Sequence, residues 1–196
     1  MAGDVSIEVE YDSGARVPLD AQRWLRPIAG DEALLDRCAG PTLDVGSGPG
    51  RLVLALGERG VPALGIDITP HAVRLTRRAG GLALYRDVFG RVPGTGRWRR
   101  LLLADGNIGI GGDPAGLLRR VAEPLGPDGR ALVELRPPGA PSRTDRVRLR
   151  GPAGAGPWFA WARVGVDDVP ALVADAGLAV RERWSAAGRY FATLTP

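Results

Sequence analysis

Short apolar runs alternate with amphipathic stretches along most of the chain, and the change of period between them marks the elements. "TLDV" (42–45), "ALGID" (63–67), "LALY" (82–85), "RLLLA" (100–104) and "RALVELR" (130–136) are brief and apolar. The last is nearly uninterrupted, as a strand buried on both faces requires. Between these strands, apolar residues recur at helical spacing. Residues 50–59 place Leu52 and Leu56 on one face, ahead of Gly60 and Pro62. A second helix starts with Thr69 as cap and Pro70 as first residue, and stops at Gly80-Gly81. Asp113 and Pro114 open another, which runs to Glu123 and is followed by a turn, "GPDG" (126–129). A last helix over 168–176 ends at Gly177, and "LAVRERW" (178–184) and "RYFATLT" (189–195) form an antiparallel hairpin at the sheet edge. Strands alternating with helices predict a mostly parallel sheet wrapped by helices.

Two stretches break the pattern. Residues 18–38 read as two short helices separated at Pro27 and Gly30, so 1–40 is expected to be an N-terminal helical lid. It precedes a single domain over 41–196. Within that domain, "PPGAPSRTDRVRLRGPAGAGPWF" (137–159) is rich in proline, glycine and arginine, with one short strand at 146–149. It is longer than an ordinary connection, which predicts a mobile lid or a disordered insertion.

Composition changes the picture little. The formal charge is +4, and all 26 basic residues are arginine. With 29 glycines and 17 prolines this has the look of a GC-rich coding bias. The densest basic groups, "GRWRR" (96–100) and "RTDRVRLR" (143–150), lack the interleaved aromatics of a single-strand platform, so a nucleic-acid partner is not expected. A single cysteine, Cys38, excludes an intrachain disulfide and suits a reducing compartment. The acidic start "MAGDVSIEVEYD" does not resemble a secretion signal, and no apolar stretch has membrane-spanning length. A cytoplasmic protein is expected, with no metal site.

The chemistry lies in "TLDVGSGPGR" (42–51), where glycines follow a strand at G-x-G-x-G spacing. A dinucleotide fingerprint needs a small residue at its sixth position, and here that position is Arg51. Asp44, before the first glycine, suits an ammonium better than a pyrophosphate. Asp67 ends the second strand, where an acid can take two ribose hydroxyls, and Asp87 follows the third, placed for an adenine amino group. An amine, a free ribose and an exocyclic amine without phosphate describe S-adenosylmethionine.

Together, "LDVGSGPGRL", "GIDIT", "YRDVF", "LLLADGN" and "LGPDGRALVEL" resemble the ordered motifs of class I S-adenosylmethionine-dependent methyltransferases, over roughly residues 40–136. The resemblance implies an α/β, Rossmann-like doubly wound sheet of seven strands, six parallel and one antiparallel. It implies that Asp44, Gly46, Ser47, Gly48 and Gly50 shape the methionine pocket, with Ser47 standing where many relatives carry cysteine. It further implies that Asp67 and Ile68 hold the ribose side, that Asp87 and Val88 border the adenine, and that Asp105, Gly106 and Asn107 face the methyl group.

Methyl transfer is an in-line displacement in which the protein chiefly orients the reactants and excludes water. The fourth strand ends in "ADGN", without the Pro-Pro-aromatic motif of amino-methylating DNA enzymes, and "ELRPP" lacks the Asp-Asn pair of magnesium-dependent catechol-type enzymes. An oxygen, nitrogen or carbon of a small molecule is therefore the expected acceptor. Asp105 is the first candidate base and Tyr11 the second. Two alternatives stand beside this reading: an enzyme of the same fold using S-adenosylmethionine without methylating, and an RNA methyltransferase. A monomer or homodimer is expected. His71 is expected to line the cleft or the surface, Cys38 to pack, and Trp24 to belong to the lid. "IGIGG" (108–112) reads equally as a flexible loop or a substrate gate. "WFAWARV" (158–164) reads as wall or core, or as the source of a ring set over the substrate.

Overall fold

A computed structural model describes residues 7–196. The chain opens with a hairpin, β1 (Ile7–Tyr11) and β2 (Arg16–Leu19), a single 3-10 turn (Ala21–Leu25) and a short helix, α1 (Asp31–Leu35). The predicted alternation follows: β3 (Thr42–Val45), α2 (Arg51–Glu58), β4 (Ala63–Asp67), α3 (Pro70–Arg78), β5 (Ala83–Tyr85) and β6 (Trp98–Leu103). After a 3-10 turn (Asn107–Gly109) come α4 (Pro114–Ala122) and β7 (Leu125–Leu135). Three further strands, β8 (Arg143–Gly151), β9 (Gly154–Ala155) and β10 (Phe159–Arg163), precede α5 (Val169–Asp175) and the closing pair β11 (Ala179–Ala186) and β12 (Arg189–Thr195).

The main sheet has seven strands in the order β11-β12-β7-β6-β3-β4-β5. From β7 to β5 every pairing is parallel, and β12 runs against both its neighbours. Leu101, Leu102 and Leu103 of β6 are each fully buried at its centre. Alternation along the strand sends Leu101 and Leu103 to one face, with Leu117, Val121 and Val173 of α4 and α5. Leu102 goes to the other face, with Leu34, Leu52 and Leu56 of α1 and α2. Each face therefore has its own helical cover, as a doubly wound sheet requires. The predicted turn at 126–129 survives as an excursion within β7: Trp98 pairs with Leu125, and Arg100 already with Arg130.

The two stretches that break the sequence pattern form one structure. Residues 7–19 are not helical; they alternate Ile7, Val9 and Tyr11 with Glu8 and Glu10, turn at Gly14, and return as β2. Residues 1–6 of the expected lid lie outside the described residues. Within 137–159 the expected lid is replaced by β8, nine residues long, which pairs antiparallel with β1 on one side and β10 on the other. The result is a second sheet in the order β10-β8-β1-β2, with β9 paired to β8. Its arginines are held in place by acid. Glu10 accepts from Arg148 Nε at 2.8 Å and Arg150 Nε at 2.9 Å, and these hydrogen bonds hold its carboxyl at about 2 despite desolvation. Pro18 sits in β2, the sheet's edge strand, where a missing N–H costs no ladder bond.

Candidate functional site

Four parallel strands, β3, β4, β5 and β6, end on one edge, and their last residues with the segments leaving them carry every residue of the expected cofactor set. The loop after β3 is tied down by the Gly46 and Ser47 amides, which both donate to the Ile66 carbonyl, at 2.9 and 3.1 Å. Asn107 clamps it from beyond β6, its Nδ2 donating to Val45 and Gly46 carbonyls at 2.9 and 3.0 Å. Gly50 opens α2 with φ +89°, and a Cβ there would overlap the Thr76 side chain. Gly48 differs. It has φ +55° and no atom within 4 Å of where a Cβ would lie, so the apex of the loop faces open space. Ser47 points its hydroxyl inward, buried and without a hydrogen-bond partner, against Gly65 of β4.

The acids of this edge have separate duties. Asp67 accepts from the Gly48 amide at 2.8 Å and from the Thr69 amide at 2.7 Å, joining the glycine apex to the end of β4. Asp87 is exposed and caps its own turn through the Phe89 amide, at 2.9 Å. Beside them Ile68 and Phe89 are 65% and 47% exposed, two apolar surfaces at the mouth of the cleft, and Val88 is buried behind. "IGIGG" is a packed wall. Gly111 lies against the Phe89 ring, where a Cβ would come within 2.9 Å, and the Gly112 carbonyl accepts from Thr144 Oγ1 of β8 at 2.9 Å.

Sequence reasoning missed what lies beneath the loop. Arg51, the first residue of α2, is 9% exposed and forms ion pairs with Asp31 of α1 and Asp105. Arg189 of β12 binds Glu134 of β7 through two nitrogens at 2.8 and 2.7 Å, reaches Asp31 at 2.7 Å, and lies 3.5 Å from Asp105. The Asp105 amide donates to Glu134 Oε2 at 2.5 Å, from a residue held at φ +53°, a region that non-glycine residues seldom adopt. The available signal was Arg51 itself: a cation at a helix N-terminus opposes the helix dipole and needs acids to hold it.

Two arginines thus answer three acids, and Asp44 adds a fourth. Asp44 is 2% exposed and, among the described residues, joins none of these pairs. Burial pushes its carboxyl up to about 7, and Asp105, Asp67 and Asp31 add to this against the pull of Arg51. Asp105 is also raised, by burial first and by Glu134, with Arg51 and Arg189 opposing. Burial would raise Asp31 too, but hydrogen bonds from Arg51, the Ile28 amide and Arg189 outweigh it and leave that carboxyl below its ordinary value.

Beyond Asp105 and Gly106 a cavity of about 300 Å³ opens between the two sheets. Its walls include Asp105, Gly106 and Glu134 from the main sheet and Trp161 and Arg163 from β10. Trp24 and Arg23 of the first 3-10 turn, and Arg136 just past β7, complete the polar and aromatic lining. Trp161 is set by close packing: a Cβ on Gly109 would lie 2.7 Å from its indole nitrogen. Tyr11 is not among the lining residues; its hydroxyl accepts from Arg163, whose guanidinium also lies 5.1 Å from the Tyr11 ring centroid. His71 is exposed in the first turn of α3, and Cys38 is buried with its thiol pushed up to about 12, first by burial. No helix of the described residues is long and apolar enough to cross a membrane.

No family model matches the sequence. No curated protein matches it either. Solved structures do. A SAM-dependent methyltransferase from Bacteroides fragilis, in complex with S-adenosyl-L-homocysteine, is similar at TM-score 0.83 and 24% identity, over 97% of this chain and 87% of that one. A TehB-like SAM-dependent methyltransferase from Corynebacterium glutamicum is similar at TM-score 0.65 and 19% identity, over 89% and 95%. An amino pentose methyltransferase from Micromonospora echinaspora, bound to SAM, gives TM-score 0.63 and 18% identity over 89% and 94%. The chain has the Rossmann-like fold of these SAM-dependent methyltransferases, with its glycine loop and acids along one edge of the sheet.

Proposed function

We propose that this protein is an S-adenosylmethionine-dependent methyltransferase acting on a small molecule. The observation that carries the reading is Asp44: a carboxylate buried beside the glycine loop with no cation of its own among the described residues. An ammonium group would supply that cation, and the open face of Gly48 leaves room for it. Asp67 can share its oxygens with ribose hydroxyls, while Asp87, Ile68 and Phe89 offer an acceptor and apolar surface to adenine, with Val88 packed behind them. The Gly46, Ser47 and Gly48 amides are all engaged within the protein, so the glycine turn itself offers none of these three to a pyrophosphate.

When bound, S-adenosylmethionine supplies a methyl group already activated by a sulfonium. The residues of this chain then have the work of placement. Asn107 fixes the loop, Asp105 and Gly106 form the border between cofactor cleft and cavity, and the second sheet supplies the cavity's far wall. We assign Asp105 as the group that takes a proton from the acceptor, because it lines the cavity and burial raises its carboxyl. Tyr11 acts through Arg163 as a positioning residue. Binding of S-adenosylhomocysteine and of NAD, each titrated calorimetrically, tests the reading: the first should bind and the second should not. Binding of NAD alone overturns it.

The fold also suits enzymes that use S-adenosylmethionine without methylating; methylthioadenosine as product in place of S-adenosylhomocysteine would select that alternative. The RNA reading draws little support, because Arg148 and Arg150 are both turned onto Glu10 and Arg143 onto Asp145, which leaves fewer guanidiniums free for phosphate. We place the protein in the cytoplasm, as a monomer or homodimer.

A further inference from the structure

We infer that the methyl acceptor is a flat, conjugated ring carrying an oxyanion, held by Arg23 and Arg136 against Trp24 and Trp161. The inference rests on the methyltransferase reading and names the substrate class of that same site. Unpaired arginines are ordinary on the surface of an arginine-rich chain, so their number says nothing. Their place does. Of the charged groups that line the 300 Å³ cavity, Asp105 and Glu134 belong to the ion-pair network that Arg51 and Arg189 hold together with Asp31. Arg163 shares Asp145 with Arg143, at 3.6 Å, and is occupied by the Tyr11 hydroxyl. Arg23 and Arg136 make no ion pair and no side-chain hydrogen bond among the described residues, yet they line the same cavity. The cavity therefore keeps two uncommitted cations, and an incoming anion is the partner that satisfies both.

The ring follows from the walls. Two indoles border a space at the small end of ligand-pocket sizes, and flat faces bind flat ligands with little loss of freedom. Trp161 is also fixed in place, pinned by Gly109 on one side and bridged through Ile110 on the other. A guanidinium reads a carboxylate or phosphate through parallel hydrogen bonds and stacks on a ring as well, which an ammonium does less well. Both oxyanions share this chemistry, so the probes must separate them.

The test uses the full chain with and without S-adenosylhomocysteine. 4-Hydroxybenzoate is titrated against 4-hydroxybenzamide, and phenyl phosphate against phenol, at one ionic strength. At least one anion should bind about tenfold to a hundredfold more tightly than its neutral partner, and which one does so names the group. In the Arg23→Gln, Arg136→Gln double variant, two exposed positions whose loss leaves the core untouched, that advantage should shrink to about twofold or less. A thermal melt of the variant checks that it folds. Equal binding of anion and neutral partner, absence of binding by all four probes, or a preference that persists in the double variant overturns the inference. Failure of S-adenosylhomocysteine to bind is a separate outcome: it removes the methyltransferase reading, and the substrate class with it.

Discussion

Replacing Asp44 with asparagine keeps the side chain's shape and removes its charge, and it should move stability and cofactor binding in opposite directions. In the unfolded chain this carboxyl titrates near 3.8; in the folded protein burial and Asp105 push it up to about 7. Between those values the folded state keeps a proton that the unfolded state has lost, so stability falls as pH rises through this window. At about 1.4 kcal/mol per unit, a gap of about 3 units is worth about 4 kcal/mol, present below pH 4 and lost above pH 7. A neutral amide at this position carries no such penalty. The stability difference between Asp44→Asn and the parent should therefore shift by up to about 4 kcal/mol in favour of the variant from pH 4 to pH 8, read from urea unfolding.

Binding should go the other way. An ammonium held by an ionised, buried carboxylate is worth about 1.5–3 kcal/mol, so the variant should bind S-adenosylhomocysteine about tenfold to a hundredfold more weakly at pH 8. The parent's affinity should also fall by about tenfold per pH unit below 7, as Asp44 takes up its proton, while that of the variant stays flat. Calorimetric titrations at pH 6, 7 and 8 read both effects. A variant that is no more stable at pH 8 than at pH 4 relative to the parent, or a parent whose affinity ignores pH, would refute the electrostatic account of this residue.

Gly48→Val should fold, since no protein atom lies within 4 Å of the added Cβ. The left-handed backbone there costs about 1–2 kcal/mol, and S-adenosylhomocysteine binding should be lost; retained affinity in a titration would count against the loop's role. Arg51→Met leaves Asp31 and Asp105, whose side chains are 6% and 17% exposed, short of a cation. Breaking such a pair should cost about 3–5 kcal/mol at pH 8 and less at pH 5, where the two acids can take protons; urea unfolding with equal losses at both values would contradict the network.

The parallel sheet was legible because its signals are local. Thr42–Val45 and Ala63–Asp67 begin and end where their apolar runs do, and the Asp113 carboxyl caps α4 by accepting from the Gly116 amide at 2.9 Å. Of the second sheet only a short strand at 146–149 was legible in "RTDRVRLR", where Val147 and Leu149 alternate with arginines; its nine-residue length and its partners were not. What makes that segment a strand is Glu10, 138 positions away from Arg148, and a run of like charges reads as solvated until its counterions are found. The hairpin at 7–19 was passed over for the opposite reason: "IEVEYDSGARVPL" has period-two alternation and a Ser-Gly turn, a direct strand signal outweighed by the expectation of a helical lid.

The same division runs through the site. The proposed cofactor cleft is made by strand ends and the turns that follow them, so Asp44, Gly48, Asp67 and Asp87 can be read in order from the sequence. The cavity is made where segments distant in the chain meet: Trp24 in the 3-10 turn after β2, Glu134 and Arg136 at the end of β7, and Trp161 on a strand of the second sheet. No spacing rule connects them. A change confined to β10 or to Gly109, which has no room for a methyl group beside Trp161, would reshape the cavity and leave every element of the glycine loop in place. The residues expected for the cofactor and those that line the cavity therefore lie on physically separable parts of the chain, and the motifs that mark the first say nothing about the second.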